Sequence, residues 1–191
     1  MNVMWVLRLY LLAGLVIHKA IWESLKRRTA NSPRSSVASA VKVVKAGKIA
    51  LLLALIAQTL APAYILPISR DPLGLCTLGV ILYTVGLVVA ISARCQLGTN
   101  WSDIETPQVG QRQEVVSNGI YRYIRHPIYA GDLLLLLGLE LALNSWLVLA
   151  IVLLVPVVLR RAVLEEKLLA KRLRGYDSYA RRTKRFIPFV V

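Results

Sequence analysis

The residues best suited to chemistry fall in one short stretch, Gly119-Ile-Tyr-Arg-Tyr-Ile-Arg-His-Pro-Ile-Tyr129, which sets Tyr121, Arg122, Tyr123, Arg125, His126 and Tyr129 immediately ahead of the apolar run Leu133–Leu143. A polar group this dense against a membrane-type segment is not a soluble-core pattern. Pro127 disfavours the helical conformation at the residue before it and suits the first turn of a helix, so His126 is expected where a loop enters an apolar helix. A second polar group, Arg161 with Glu165 and Glu166, follows the apolar run Trp146–Leu159. Arg161 and Glu165 stand about one helical turn apart and share a face. Each group has a plainer reading taken alone: Arg161 and Glu165 as a surface ion pair, His126 as a satisfied interfacial histidine, Tyr121, Tyr123 and Tyr129 as an aromatic belt. Their spacing favours ligand binding, because an antiparallel hairpin brings the His126 end of one arm beside the Arg161 end of the other.

Composition narrows the class. Hydrophobic residues make up 57% of the 191-residue chain, and the mean hydropathy is +0.59, outside the usual soluble range and in keeping with membrane integration. Lys and Arg number 24 against 10 Asp and Glu, a formal charge of +14, which alone suits nucleic acid or an anionic membrane surface. The basic residues flank apolar runs and form no aromatic-interleaved module, so membrane lipid is the expected partner and nucleic acid is not. Cys76 and Cys95 bracket one apolar run, and a helix holds them about 28 Å apart, too far to pair. His18 and His126 lie on separate elements, so no metal site is expected.

The elements that must position these residues are apolar runs at Val3–Ile21, Ile49–Leu66, Leu73–Ala93, Leu133–Leu143 and Trp146–Leu159, read as five transmembrane helices. The first lacks a small-residue cleavage site and is read as a retained segment. Pro67–Pro72 predicts a tight turn, and Asn144-Ser145 predicts the tip of a helical hairpin, with one continuous helix as the alternative. Arg94–Tyr129 reads as a long ordered loop of the kind that carries function. From Arg160 the chain reads as a basic helix ending at Gly175, and Pro156 is expected to kink the arm before it. Five crossings place 22 of the 24 Lys and Arg on one face and leave Arg8 and Arg70 on the other. The positive-inside rule then sets the N-terminus outside, and the C-terminus, the His126 loop and the Glu165 helix in the cytoplasm. Asp132 is expected near the interface, and Glu140 on the far surface near the hairpin tip, without a role. The expectation is an all-α, multi-pass membrane protein with a single domain over 1–191. Residues 1–93 supply three segments; 94–191 supply the loop, the hairpin and the C-terminal helix.

Together with Leu97-Gly-Thr-Asn-Trp-Ser102 before it, and Arg161, Glu165, Glu166, Tyr176, Tyr179 and Arg185-Phe-Ile-Pro188 after it, the Gly119–Tyr129 stretch resembles the isoprenylcysteine carboxyl methyltransferase family. That family is similar to the phospholipid methyltransferases in the same region. The likeness covers roughly the C-terminal half, the N-terminal half matching only as hydrophobic segments. It implies transfer of a methyl group from S-adenosylmethionine to an isoprenylated cysteine carboxylate or a similar lipophilic acid. It further implies that Gln113, Glu114, Val115, Val116, Tyr121, His126, Pro127, Ile128 and Tyr129 bind the cofactor. A carboxylate of the exit helix, Glu165 or its neighbour Glu166, contacts the donor by the same likeness. The family has Phe-Gly before the first tail tyrosine where this chain has Leu173-Arg-Gly-Tyr176, an offset that leaves the choice of glutamate open. Arg161 matches the arginine that holds the acceptor's carboxylate, a task suited to its planar fork.

Under this reading Arg161 and Glu165 are the catalytic residues, and the chemistry needs alignment and exclusion of water more than a strong base. A carboxylate acceptor is already ionised at neutral pH, and no metal is required. Two other readings fit the same residues: N-methylation of a phospholipid headgroup, and a membrane scaffold without catalysis.

Overall fold

The structure, a computed structural model, describes residues 3–28, 38–61, 67–100 and 114–188. Gln113, Trp101 and Ser102 lie outside the described residues. The described residues form helices α1 (Val3–Arg28), α2 (Ala38–Leu60), α3 (Leu73–Leu97), α4 (Pro127–Ala142), α5 (Val148–Arg172) and α6 (Tyr176–Arg182), with 3-10 turns at Gly98–Asn100 and Gly119–Arg122. Strand pairing among them is confined to two isolated bridges. The described residues divide into two compact units, one within 3–61 and the other within 67–188. The third apolar segment thus groups with the C-terminal half.

In the first unit, α1 carries its polar residues as local pairs. The Arg8 guanidinium lies 5.0 Å from the centre of the Trp5 ring, and His18 stacks on Trp22 at 4.2 Å. Over Val3–Lys26 it is long and apolar enough to cross a membrane, as is α3.

The second unit is built on the antiparallel pair α3 and α4. Its contact line is read off the small residues: Gly79 meets Ala142, Tyr83 meets Gly138, Gly86 meets Leu135, and Ala90 meets Gly131. Two glycines on each helix recur every seven residues, so they stay on one face. Without side chains there, the two backbones close to a distance no larger residue permits, the way helices associate where lipid removes the hydrophobic drive. A β-carbon added at Gly131 would fall 2.6 Å from the Ala90 nitrogen. Tyr83, Ala90, Leu139 and Ala142 are fully buried along this seam. The outward residues Leu78, Ile81, Val85 and Val88 of α3 are exposed over about half of their surface.

The last two apolar runs form the expected hairpin, broken at residues 143–147 and not continued as one helix. Asn144 adopts φ +54°, a left-handed conformation that asparagine tolerates better than most residues. Its side chain accepts from the Ser69 nitrogen at 3.0 Å and donates to the Ser69 carbonyl at 2.8 Å, and its own carbonyl accepts from Ile68 at 3.1 Å. The turn before α3 is thereby fastened to the hairpin tip. Pro156 sits inside an unbroken α5 that runs on to Arg172, and α3 continues past Ala93 to bury Arg94. Glu140 departs from expectation: it is 2% exposed, although it stands on the side of α4 opposite the glycine seam.

The seam carries a direct prediction. Gly138→Leu should destabilise the unit by about 1–3 kcal/mol or more, as overpacking does, seen as a lower thermal unfolding midpoint in detergent. Gly74→Ala, where nothing lies within 4 Å of the added carbon, should leave the midpoint unchanged or slightly raised.

Candidate functional site

The described candidate site residues belong to the second unit, at the end where α3 and α5 finish and α4 begins. Every Lys and Arg of its described residues except Arg70 lies at this end. Past α3, the Gln96 Oε1 accepts from the Ile120 nitrogen at 2.8 Å. Gly119, at φ +55°, leaves the room that the Gln96 side chain occupies, so a glycine is required there on both counts. The short turn that follows buries Tyr121, whose carbonyl accepts from the Tyr179 hydroxyl at 2.9 Å.

His126 caps α4 in a non-helical conformation, with Pro127 at the first helical position, as the sequence requires. The polypeptide on either side of His126 is held by the tail. The Arg125 nitrogen donates to the Lys184 carbonyl at 2.7 Å, the His126 nitrogen to the Arg185 carbonyl at 3.0 Å, and the Lys184 nitrogen to the Tyr123 carbonyl at 3.0 Å. The His126 ring is 5% exposed and stacks between Tyr129 at 5.4 Å and Phe186 at 5.6 Å.

The two glutamates have separate partners. Adjacent helical residues point about 100° apart, and Glu165 accepts from the Tyr129 hydroxyl at 2.7 Å, while Arg161 hydrogen bonds to the same tyrosine. Glu166 instead receives Arg125 Nε at 2.9 Å, His126 Nε2 at 3.2 Å and Arg185 Nε at 3.0 Å. Burial pushes the Glu166 carboxyl up, and the hydrogen bonds from His126, Arg125 and Arg185 outweigh it, holding the group down at about 2. Arg125 also donates to the carbonyls of Ala180, at 2.7 Å, and Thr183, so one guanidinium ties α5 to the end of α6. Burial, opposed by nearby Arg125, pushes the Tyr179 phenol up to about 12.

The structure therefore brings Tyr121, His126, Pro127, Ile128, Tyr129, Arg161, Glu165 and Glu166 to one end of the hairpin. Arg161 is exposed, Glu165 and Ile128 are half-buried, and Pro127 is buried. Glu114, Val115 and Val116 lie at the same end. The Glu114 nitrogen donates to Asn100 Oδ1 at 2.8 Å, and Glu114 and Val115 line a cleft of about 370 Å³ with Arg172, Leu173 and Arg174. Gln113 falls outside the described residues. The roles of Arg125, Arg185 and Gln96 were not legible from spacing, since their partners lie far along the chain. The neighbouring pairs Arg125-His126 and Glu165-Glu166 are the one signal that hinted at a buried ion cluster.

Among its described residues the second unit is all-helical, with a polar cluster where an apolar hairpin meets basic segments. The structure of the eukaryotic intramembrane Ras methyltransferase ICMT (isoprenylcysteine carboxyl methyltransferase) superposes with a TM-score of 0.61 at 19% identity, over 96% of this chain and 68% of that one. The chain belongs to the phospholipid methyltransferase family, whose model matches residues 75–174, just over half of its length. The cobalt-zinc-cadmium resistance protein CzcN of Cupriavidus metallidurans is 39% identical over 79 residues, covering 39% of this chain and 35% of that protein. The nickel-cobalt-cadmium resistance protein NccN of Alcaligenes xylosoxydans xylosoxydans is 36% identical over 80 residues, 39% of this chain and 36% of that protein. The match thus spans about a third of these curated relatives.

The ion cluster sets an acid limit. Glu166 is held below its ordinary 4.5 in the folded chain, so its stabilisation is complete above that value and is lost as pH falls from about 4.5 toward 2. Unfolding midpoints in detergent should drop over that window in the wild type. In Glu166→Gln the midpoint should already be lower at neutral pH and should fall less on acidification.

Proposed function

We propose that the chain is an S-adenosylmethionine-dependent methyltransferase of the membrane that O-methylates a lipophilic carboxylate, such as an isoprenylated cysteine. The observation that carries this reading is the linked set Arg161, Tyr129 and Glu165, in which a cation and a carboxylate one helical turn apart are joined through a tyrosine hydroxyl at 2.7 Å from the acid. Glu165 is a carboxylate complement for the positive charge of the donor, and the Tyr129 ring beside it is an aromatic group of the kind that favours a cation. The residues present therefore fit that cofactor. The cleft at Glu114 and Val115 involves Arg172, which shares a face of α5 with Glu165 about 10 Å further along the axis, so an extended molecule could run from one to the other. When bound, the donor supplies a methyl group already activated on sulfur.

The work left to the chain is alignment and exclusion of water. Exposed Arg161 holds the acceptor's carboxylate by two parallel hydrogen bonds, Tyr129 orients Glu165, and buried His126 keeps Tyr129 in register by stacking. Five crossings, with the site and the C-terminus in the cytoplasm, agree with the basic residues gathered at the site end and with the exposed apolar faces of α3 and α5, where Leu153 is 75% exposed. Such faces need a lipid cover. The donor then arrives from the cytoplasm and the acceptor laterally from the bilayer. Membership of a phospholipid methyltransferase family favours a second reading, N-methylation of a lipid headgroup.

Detergent-purified protein incubated with methyl-labelled donor, a total lipid extract and a prenylcysteine analogue should label the analogue. The label should leave as methanol on treatment with alkali. Label that resists alkali supports the headgroup reading, and absence of saturable donor binding supports a scaffold. Arg161→Ala should lower turnover by about a hundredfold or more, the scale of losing one well-placed donor, with the donor still bound. Glu165→Ala and His126→Ala should weaken donor binding itself, and three variants that methylate at the wild-type rate would refute the assignment.

A further inference from the structure

We propose that the C-terminal segment Thr183–Pro188 is part of the active site, latched there by Glu166 acting as a positioning residue and not as a ligand of the donor. The inference rests on the function proposed above and deepens it. Both oxygens of Glu166 are committed: Oε1 accepts from Arg125 at 2.9 Å and from His126 at 3.2 Å, and Oε2 accepts from Arg185 at 3.0 Å. These donors come from the loop before α4 and from the tail, so one carboxylate on α5 joins three segments distant in sequence. Backbone pairing runs beside it, with Ile124 bridged to Lys184 in parallel and the Arg125 and His126 nitrogens held by tail carbonyls.

What the latch delivers is Phe186. Its ring lies 5.6 Å from that of His126, whose other neighbour is Tyr129 at 5.4 Å, and Tyr129 is the residue that orients Glu165. The tail is thus the outer wall of a stack that ends on the carboxylate assigned to the donor. The Arg185 side chain is 42% exposed and the Arg125 side chain 10%. The latch accordingly has one buried anchor that belongs to the fold and one outer anchor that opens without unfolding it.

The test uses the full chain in lipid nanodiscs, with hydrogen exchange at the Arg125, His126 and Lys184 amides and calorimetric binding of S-adenosylmethionine. Glu166→Gln and Arg185→Ala should each exchange these three amides at least about tenfold faster and bind the donor about tenfold more weakly. Arg185→Lys and Glu166→Asp, which keep the charges, should recover most of the affinity, and Arg181→Ala, an exposed residue outside the cluster, should match the wild type. Unchanged exchange in Arg185→Ala, or faster exchange with donor affinity unaltered, overturns the latch. A wild type that binds no donor overturns the proposed function and the positioning role together. That result is distinguishable from failure of the latch alone, in which wild type and variants bind equally.

Discussion

A carboxylate in a mostly buried place is stable only if charge and hydrogen bonds surround it, and Glu166 meets that condition with donors drawn from two other segments. Removing a buried partner, Arg125 or His126, leaves an incompletely satisfied anion, which is far more costly than never having buried it, whereas Arg185 closes the cluster from its exposed side. The cluster therefore fixes where the loop before α4 and the tail after α6 must sit. Everything nearer the proposed chemistry depends on that placement: the His126 ring, the Tyr129 hydroxyl that the ring stacks against, and the Glu165 oxygen that the hydroxyl reaches.

The cluster needs a rigid floor, and the glycine seam of α3 and α4 supplies it. Backbones that interlock through Gly79, Gly86, Gly131 and Gly138 have no larger side chains to rearrange, so the start of α4 is set by the end of α3. Gln96 transmits that order onward by holding Ile120. Asn144 does the equivalent at the opposite end, where one side chain fastens two turns. The pair is therefore clamped at both ends, with the described candidate site residues at the basic end.

Much of this was legible in the sequence because it depends on local rules. The position of His126 follows from Pro127, the hairpin break from Asn144-Ser145, and the convergence of His126 with Glu165 from the antiparallel arms. What was not legible depends on contacts between residues far apart in the chain. The separation of Glu165 from Glu166 is the instructive case: both are glutamates on one turn, and only their partners, Tyr129 for one and Arg125, His126 and Arg185 for the other, distinguish them. Glu140 was misjudged for a related reason. It stands on the side of α4 away from the seam with α3, and its burial comes from tertiary packing there that local spacing does not mark. The family likeness supplied the chemistry that spacing alone left open, since ion pair, aromatic belt and ligand site share the same residues.

The most direct measurement is an experimental structure of the full chain in lipid with S-adenosylmethionine bound. The account predicts the donor's positive groups against Glu165 and Tyr129, with Glu166 still held by Arg125, His126 and Arg185 and Phe186 still packed on His126. Donor density at the Asn144 end of the helices, or a Glu166 carboxylate released from its arginines to contact the donor, would contradict it.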